Sequence, residues 1–206
     1  MPFRLGVIGA GAAAAAATYA LNEEHPGASV AVFEKSRGVC GRAAARRRDG
    51  IVYDYGANFL KDAGGRVSTL VTGHLDEGLV EVSGPIWTFD ADGNGDEKTG
   101  TDERRWTYED GITRLAKHLF ESADVTVQRE TRIADVRYEE GWRLTDAGGT
   151  EYGPFDALLL NPPAPQTADL LRETDIGAVE RLGEAATEVE YQTGWTAVLG
   201  YGFELE

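Results

Sequence analysis

Apolar residues first gather at 4–8 (RLGVI), a run too short for a helix and of the kind that forms a buried strand. Gly9-Ala10-Gly11 breaks the run into a tight turn, and seven alanines between residues 10 and 17 carry a helix onward to about Leu21. Side chains this small let a helix lie close against a sheet beneath it. Residues 22–28, with Pro26-Gly27, end the helix, and 29–34 (SVAVFE) read as a second strand rich in β-branched and aromatic residues. Strand, helix and strand within about 30 residues make a βαβ crossover, parallel and right-handed.

Beyond Gly50 the pattern loosens. Residues 51–53 (IVY) lead into Asp54-Tyr55-Gly56-Ala57-Asn58-Phe59, and no strong period follows through Gly84. Residues 86–89 and 105–108 are aromatic strand candidates separated by the polar, glycine-rich stretch 90–104, which predicts a hairpin with a long tip. Residues 111–120 put Ile112, Leu115, Ala116 and Leu119 on one helical face, with Asp110 placed to cap the start. Short strands at 125–127, 132–138 and 142–145 predict an antiparallel meander closed by 155–160. Asn161-Pro162-Pro163 stops it, because proline cannot continue a hydrogen-bonded ladder. Helices over about 165–171 and 176–188 and a strand over 196–203 complete the chain.

Composition narrows the chemistry. The single cysteine, Cys40, excludes an internal disulfide, and His25, His74 and His118 show no ligand spacing, so no metal site is expected. A formal charge of −15 repels polyanions, which excludes nucleic acid as a partner despite Arg46-Arg47-Arg48; that run reads as a solvated strand edge. No apolar run approaches the roughly 20 residues that span a bilayer, and the N-terminus lacks the layout of a signal peptide, so the expectation is a cytoplasmic protein with no membrane partner. Only four of the 20 basic residues are lysines, an acid-rich and lysine-poor balance that resembles proteins of salt-loving organisms.

The candidate chemistry lies at the first turn. Gly9-x-Gly11-x-x-Ala14 follows a strand and opens a helix: the first glycine permits the turn, the second lets a pyrophosphate approach the backbone, and the third position needs a small residue where helix meets sheet. Free amides at the helix start attract phosphate charge. Glu34 ends the second strand 25 residues after Gly9, where an acid accepts hydrogen bonds from adenosine ribose hydroxyls and disfavours a 2′-phosphate, with Lys35 beside it. Arg42 can offer paired donors to phosphate oxygens. The fold class expected, taking the residues together with the family resemblance given next, is α/β: a Rossmann-type FAD/NAD(P)-binding domain with a parallel sheet, an antiparallel β-meander and an inserted, incomplete α+β substrate lobe. The expected division is 1–62 with 110–165 for the dinucleotide-binding domain, and 63–109 with 166–206 for a partial substrate domain.

At this point the sequence resembles the renalase-like branch of the flavin amine oxidases. The resemblance rests on Gly9 to Ala14, Glu34-Lys35-Ser36-Arg37-Gly38, Cys40-Gly41-Arg42, Asp54 to Phe59, Asp110 to Leu119 and the turn Asn161 to Gln166. It implies FAD as cofactor, with Gly9, Gly11 and Ala14 at the pyrophosphate, Glu34 and Lys35 at the ribose, and Gly41-Arg42 along the phosphates and ribityl chain. Gly56-Ala57-Asn58 would lie near the isoalloxazine ring and Ile133 beside the adenine. Two departures stand out. Cys40 replaces the first glycine of the usual Gly-Gly-Arg turn, and is read as a small buried residue rather than a reactive thiol. Members of the family also continue past 200 residues and complete the FAD site with a late Gly-Asp strand-turn-helix. No such segment follows Asn161, and Gly95-Asp96 is read as a loop tip, so the chain is expected to be an expressed fragment, a truncated gene product or a minimal relative that carries the N-terminal part of such a site.

The implied reaction is hydride transfer from a carbon next to nitrogen, in an amine or dihydropyridine, to flavin, with oxygen as acceptor. No catalytic acid, base or nucleophile is nominated. Trp87, Phe89, Trp106, Tyr108 and Trp195 read either as an aromatic substrate wall or as plain core. Two alternatives stay open: an NAD-dependent dehydrogenase on the same βαβ unit, and a non-catalytic nucleotide-binding fragment.

Overall fold

The computed structural model describes residues 2–61, 64–82, 87–90, 92–97, 104–172, 174, 176–192 and 194–202. Its centre is a βαβ unit: β1 (Arg4–Ile8), α1 (Ala12–Glu24) and β2 (Ser29–Phe33), with β1 and β2 parallel and Val7 opposite Val32. Alternation along both strands sorts the core. Val7 and Val32 pack on one face with Ala10, Ala14 and Ala15 of the α1 side, while Ile8 and Phe33 belong to the cluster on the other face. Each fully buried apolar side chain of this kind contributes about 1.5–3 kcal/mol relative to exposure.

A short 3-10 turn (Gly41–Ala43) leads to a hairpin, β3 (Ala45–Arg48) and β4 (Ile51–Asp54), whose arginine strand lies on the surface. Next come β5 (Leu60–Lys61), α2 (Arg66–Gly73), β6 (Leu79–Glu81), β7 (Trp87–Phe89), β8 (Gly95–Glu97) and β9 (Arg105–Tyr108). The chain then returns through α3 (Thr113–Ser122), whose Ala116, Leu119 and Phe120 join the cluster around Val7. After β10 (Val127–Gln128) follow β11 (Ile133–Tyr138), β12 (Trp142–Asp146) and β13 (Glu151–Phe155), an antiparallel meander that covers the opposite face through Val136, Leu144 and Phe155. β14 (Ala157–Leu160), α4 (Ala164–Leu171) and α5 (Gly177–Thr187) end the ordered elements.

The parallel sheet has the order β10-β2-β1-β14, so the fold class is the Rossmann-like α/β arrangement with a meander attached. Several local expectations need correcting. Residues 155–160 do not close the meander as one strand: the chain breaks at Asp156, whose carboxylate and amide bond to Arg4, and β14 then runs parallel to β1. Nor does β10 join the meander; it extends the parallel sheet beside β2. The aromatic strands 86–89 and 105–108 are not partners. β7 pairs with β8, which contains the Gly95-Asp96 read as a loop tip, and β9 pairs with β5 and β6. Ile86 lies outside the described residues, as does Phe203; residues 196–202 form no strand. Asp110 does not cap α3, because its carboxylate is held by Arg47 at 2.8 Å; the Ile112 amide ahead of the helix donates instead to Asp54 at 3.1 Å. Among the described residues, no helix is long and apolar enough to cross a membrane.

Candidate functional site

The site lies beyond the carboxyl ends of β1 and β2, where the chain must turn sharply twice. Gly9 sits at φ 91°, a left-handed conformation that glycine adopts at no steric cost. At Gly11 a Cβ would come 2.5 Å from the Asn161 Nδ2, the free end of a side chain on the turn after β14, so a larger residue there would displace that amide. Helix α1 starts at once, with no capping side chain and no acid in its first turn. Its first amides therefore have no partner within the helix, and Ala12 and Ala13 line an open cleft. An uncapped helix start facing a cavity is a ready site for an anion.

Glu34 is only 8 % exposed, and both carboxylate oxygens are engaged. Its Oε2 accepts from the Ala10 amide at 2.8 Å and its Oε1 from the Ser36 amide at 2.7 Å. The acid therefore points at the glycine turn and is held there by peptide donors on both sides, with lone pairs remaining for further donors. The neighbouring segment docks on the same turn: the Cys40 amide donates to the Ala10 carbonyl at 2.8 Å, and Gly11 and Cys40 form a parallel bridge.

These elements form one wall of a cleft of about 760 Å³. The other wall comes from residues 131–134 at the start of β11, Ala147, and Asn161 to Leu170 around the start of α4. Main-chain bonds place it there. Thr131 donates to the Glu34 carbonyl at 2.9 Å, Ala147 to Arg132 at 2.8 Å, and Asn161 to Ile8 at 2.9 Å. Lys35 Nζ donates to Gln166 Oε1 at 2.7 Å and links the walls. The volume falls within the range of about 300–1,000 Å³ typical of small-molecule clefts.

Of the sequence candidates, Gly9, Gly11, Glu34, Lys35, Gly41, Arg42, Ala57 and Ile133 all line this cleft. Ala14 does not; it is buried on the sheet-facing side of α1, in the core with Val7 and Val32, as a small residue between helix and sheet should be. Gly56 and Asn58 are exposed and lie outside the lining. Gly56 instead packs against the Arg42 carbonyl, leaving no room for a Cβ, and the Ala57 amide donates to that carbonyl at 3.3 Å. Of the aromatic residues read either as a substrate wall or as plain core, none of the described ones lines this cleft. Tyr108 is buried against His118, Trp195 is 95 % exposed, and the Phe89 side chain lies outside the described residues.

Cys40 lines the cleft yet is buried, at φ 81°, with its thiol toward the Ile112 carbonyl. Burial pushes its pKa up to about 11, so it stays a protonated thiol at neutral pH. Arg42 and Arg132 both line the cleft and are exposed there. Arg132, Thr131, Ala147 and Asp169 escaped the sequence reading, because they reach the cleft through strand pairing and helix docking that no local pattern reports.

Residues 7–80 match the family described as NAD(P)-binding Rossmann-like domain. Among solved structures, the chain is similar to a CLA-producing fatty acid isomerase from P. acnes, at 13% identity and a TM-score of 0.70 over 90% of this chain. A double mutant of putrescine oxidase matches at 14% identity and 0.64 over 91%, and a candidate protoporphyrinogen oxidase from Exiguobacterium sp. 255-15 at 15% and 0.66 over 88%. This chain covers 64% of each of those three chains. Residues 7–80 are thus similar to the NAD(P)-binding Rossmann-like domain, and the chain as a whole has the α/β fold of those solved structures.

Proposed function

We propose that the cleft binds the adenine-nucleotide half of FAD, and that the chain is the corresponding part of a flavin-dependent oxidoreductase of the renalase-like kind. The observation that carries this reading is Glu34, turned onto the glycine bend beside the uncapped start of α1. A carboxylate with free lone pairs suits the two hydroxyls of a ribose, and bare amides suit a diphosphate. The donor set fits the group. Arg42, exposed at the cleft, adds a cation for phosphate oxygens, and Ile133 with Ala134 offers an apolar strand edge for a purine.

Bound flavin would supply hydride acceptance from a carbon next to nitrogen, with oxygen as the final acceptor. The chain's own residues bind and orient: the glycine turn sets the diphosphate, Glu34 the sugar, and the 3-10 turn at Gly41–Ala43 the stretch beyond. Ala57 is the one member of the Gly56-Ala57-Asn58 segment at the cleft, and we assign it to the flavin side.

The test is a titration of the purified protein with FAD and, separately, NADH, followed by calorimetry and flavin absorbance. FAD should bind, and Glu34→Gln should weaken it by about 10-fold to 100-fold, the value of a hydrogen bond to a charged group. A nicotinamide dinucleotide is the reading favoured by the family match over residues 7–80, and tight NADH binding without FAD binding would establish it. Failure to bind either would leave a non-catalytic module.

A further inference from the structure

The Lys35–Gln166 contact spans the cleft mouth, from the end of β2 to the first turn of α4. An ammonium has donors only, so Gln166 must turn its amide oxygen toward Lys35. The Gln166 amide nitrogen is thereby left as a donor at the cleft, without a partner among the described residues. Its place is fixed from three directions. α4 is held down by Leu170 against the Phe33 cluster, its first amide at Ala164 donates to the Tyr191 hydroxyl at 2.9 Å, and Lys35 adjoins the buried Glu34.

We propose that Gln166 is a binding residue for the adenosine ribose, with Lys35 as the positioning residue that presents its amide N–H. The proposal rests on the reading that Glu34 takes the ribose. A sugar hydroxyl both donates and accepts. Donating to the Glu34 carboxylate leaves its oxygen able to accept from Gln166, so one hydroxyl is read from both walls of the cleft. The same arrangement selects a free hydroxyl over a 2′-phosphate. A phosphate cannot donate to Glu34, and the ammonium nearest that acid in sequence is already committed to Gln166.

Calorimetry with ADP, 2′-deoxy-ADP and 3′-deoxy-ADP tests this, with 2′,5′-ADP as the phosphorylated probe. Gln166→Glu keeps a partner for Lys35 and removes the donor; it should weaken ADP about 3-fold to 10-fold, as one neutral hydrogen bond does. That penalty should vanish for one of the two deoxy nucleotides. Lys35→Met, which frees the amide to rotate, should give a smaller loss that also vanishes with the same deoxy nucleotide. A merely structural contact would weaken all nucleotides alike, and an equal penalty across ADP and both deoxy forms overturns the proposal. So does wild-type protein that binds 2′,5′-ADP as tightly as 5′-AMP, which has the same 5′-monophosphate and a free 2′-hydroxyl. Absence of ADP binding by the wild type would instead remove the nucleotide reading itself.

Discussion

The two ends of the molecule are built by different means. Around β1 and β2, strands of five residues lie side by side in a four-stranded sheet, and both faces are covered by apolar clusters. Around β9 the strands are two to four residues long, and arginines lie over rings: Arg104 over Trp106 at 4.3 Å and Arg105 over Phe59 at 5.5 Å. The first region holds the cleft rigidly because its turns grow out of buried strands. Among the described residues of the second, the buried apolar side chains are few, Val71, Leu75 and Tyr108, and sequence patterns there are correspondingly faint.

The largest test of that contrast is a pair of truncations. Phe33 is 1 % exposed and packs its ring against Tyr152 and Phe155, so Phe33→Ala should cost about 3–5 kcal/mol in urea unfolding. Trp87, 53 % exposed on β7, should cost about 0.5 kcal/mol or less when cut to alanine. Equal losses would mean that the short-strand region is as tightly packed as the sheet, and the contrast would fail.

The same contrast decides what could be read from the sequence. β1, the glycine turn, α1, β2 and Glu34 were legible because each link is local: a strand, a turn and a helix follow one another, and the acid closes the next strand. β10 and β14 were misplaced because their partners, β2 and β1, lie far away in sequence, and nothing local reports parallel pairing. α2 was missed for a different reason. Val67, Thr69, Val71 and Thr72 are β-branched and weak helix formers, and Gly64-Gly65 precedes them. The β7–β8 hairpin did have a signal, the dipeptides Asp92-Gly93 and Asn94-Gly95, which suit a tight turn better than a long loop. At the site, the glycine-turn wall was foreseen and most of the facing wall was not, since Arg132 and Asp169 arrive from other elements.

Cys40 sharpens the picture at the rigid end. A non-glycine residue at φ 81° carries a left-handed cost of about 1–2 kcal/mol, which glycine at this position of the turn would avoid. Cys40→Gly should therefore be more stable than Cys40→Ala by about 1 kcal/mol, read as a difference in urea midpoint; the reverse order would show that the turn tolerates the side chain without strain. The thiol also adds a pH signature. Because burial raises its pKa from 9.0 to about 11, the folded state favours the neutral form, and the stability this gives is complete below pH 9 and lost as pH climbs toward 11. Cys40→Ala should flatten the stability curve in that window, while the loss due to buried Tyr108, whose pKa is raised to about 12, should persist at higher pH.

The smallest effect concerns the joint between the two regions. Asp54 closes β4 and receives the Thr107 hydroxyl of β9 at 3.3 Å and the Ile112 amide ahead of α3 at 3.1 Å, so one carboxylate ties the short-strand sheet to the helix that covers the parallel sheet. Asp110, the residue sequence favours as the cap, pairs with Arg47 on the surface, where solvent screens the contact. Asp54→Ala should cost about 1 kcal/mol, comparable to loss of a helix cap, and should speed amide exchange at Ile112. Asp110→Ala should leave both the unfolding midpoint and that exchange rate unchanged. If the two substitutions swap effects, the helix is capped by its sequence neighbour after all, and the two regions are joined by packing rather than by this carboxylate.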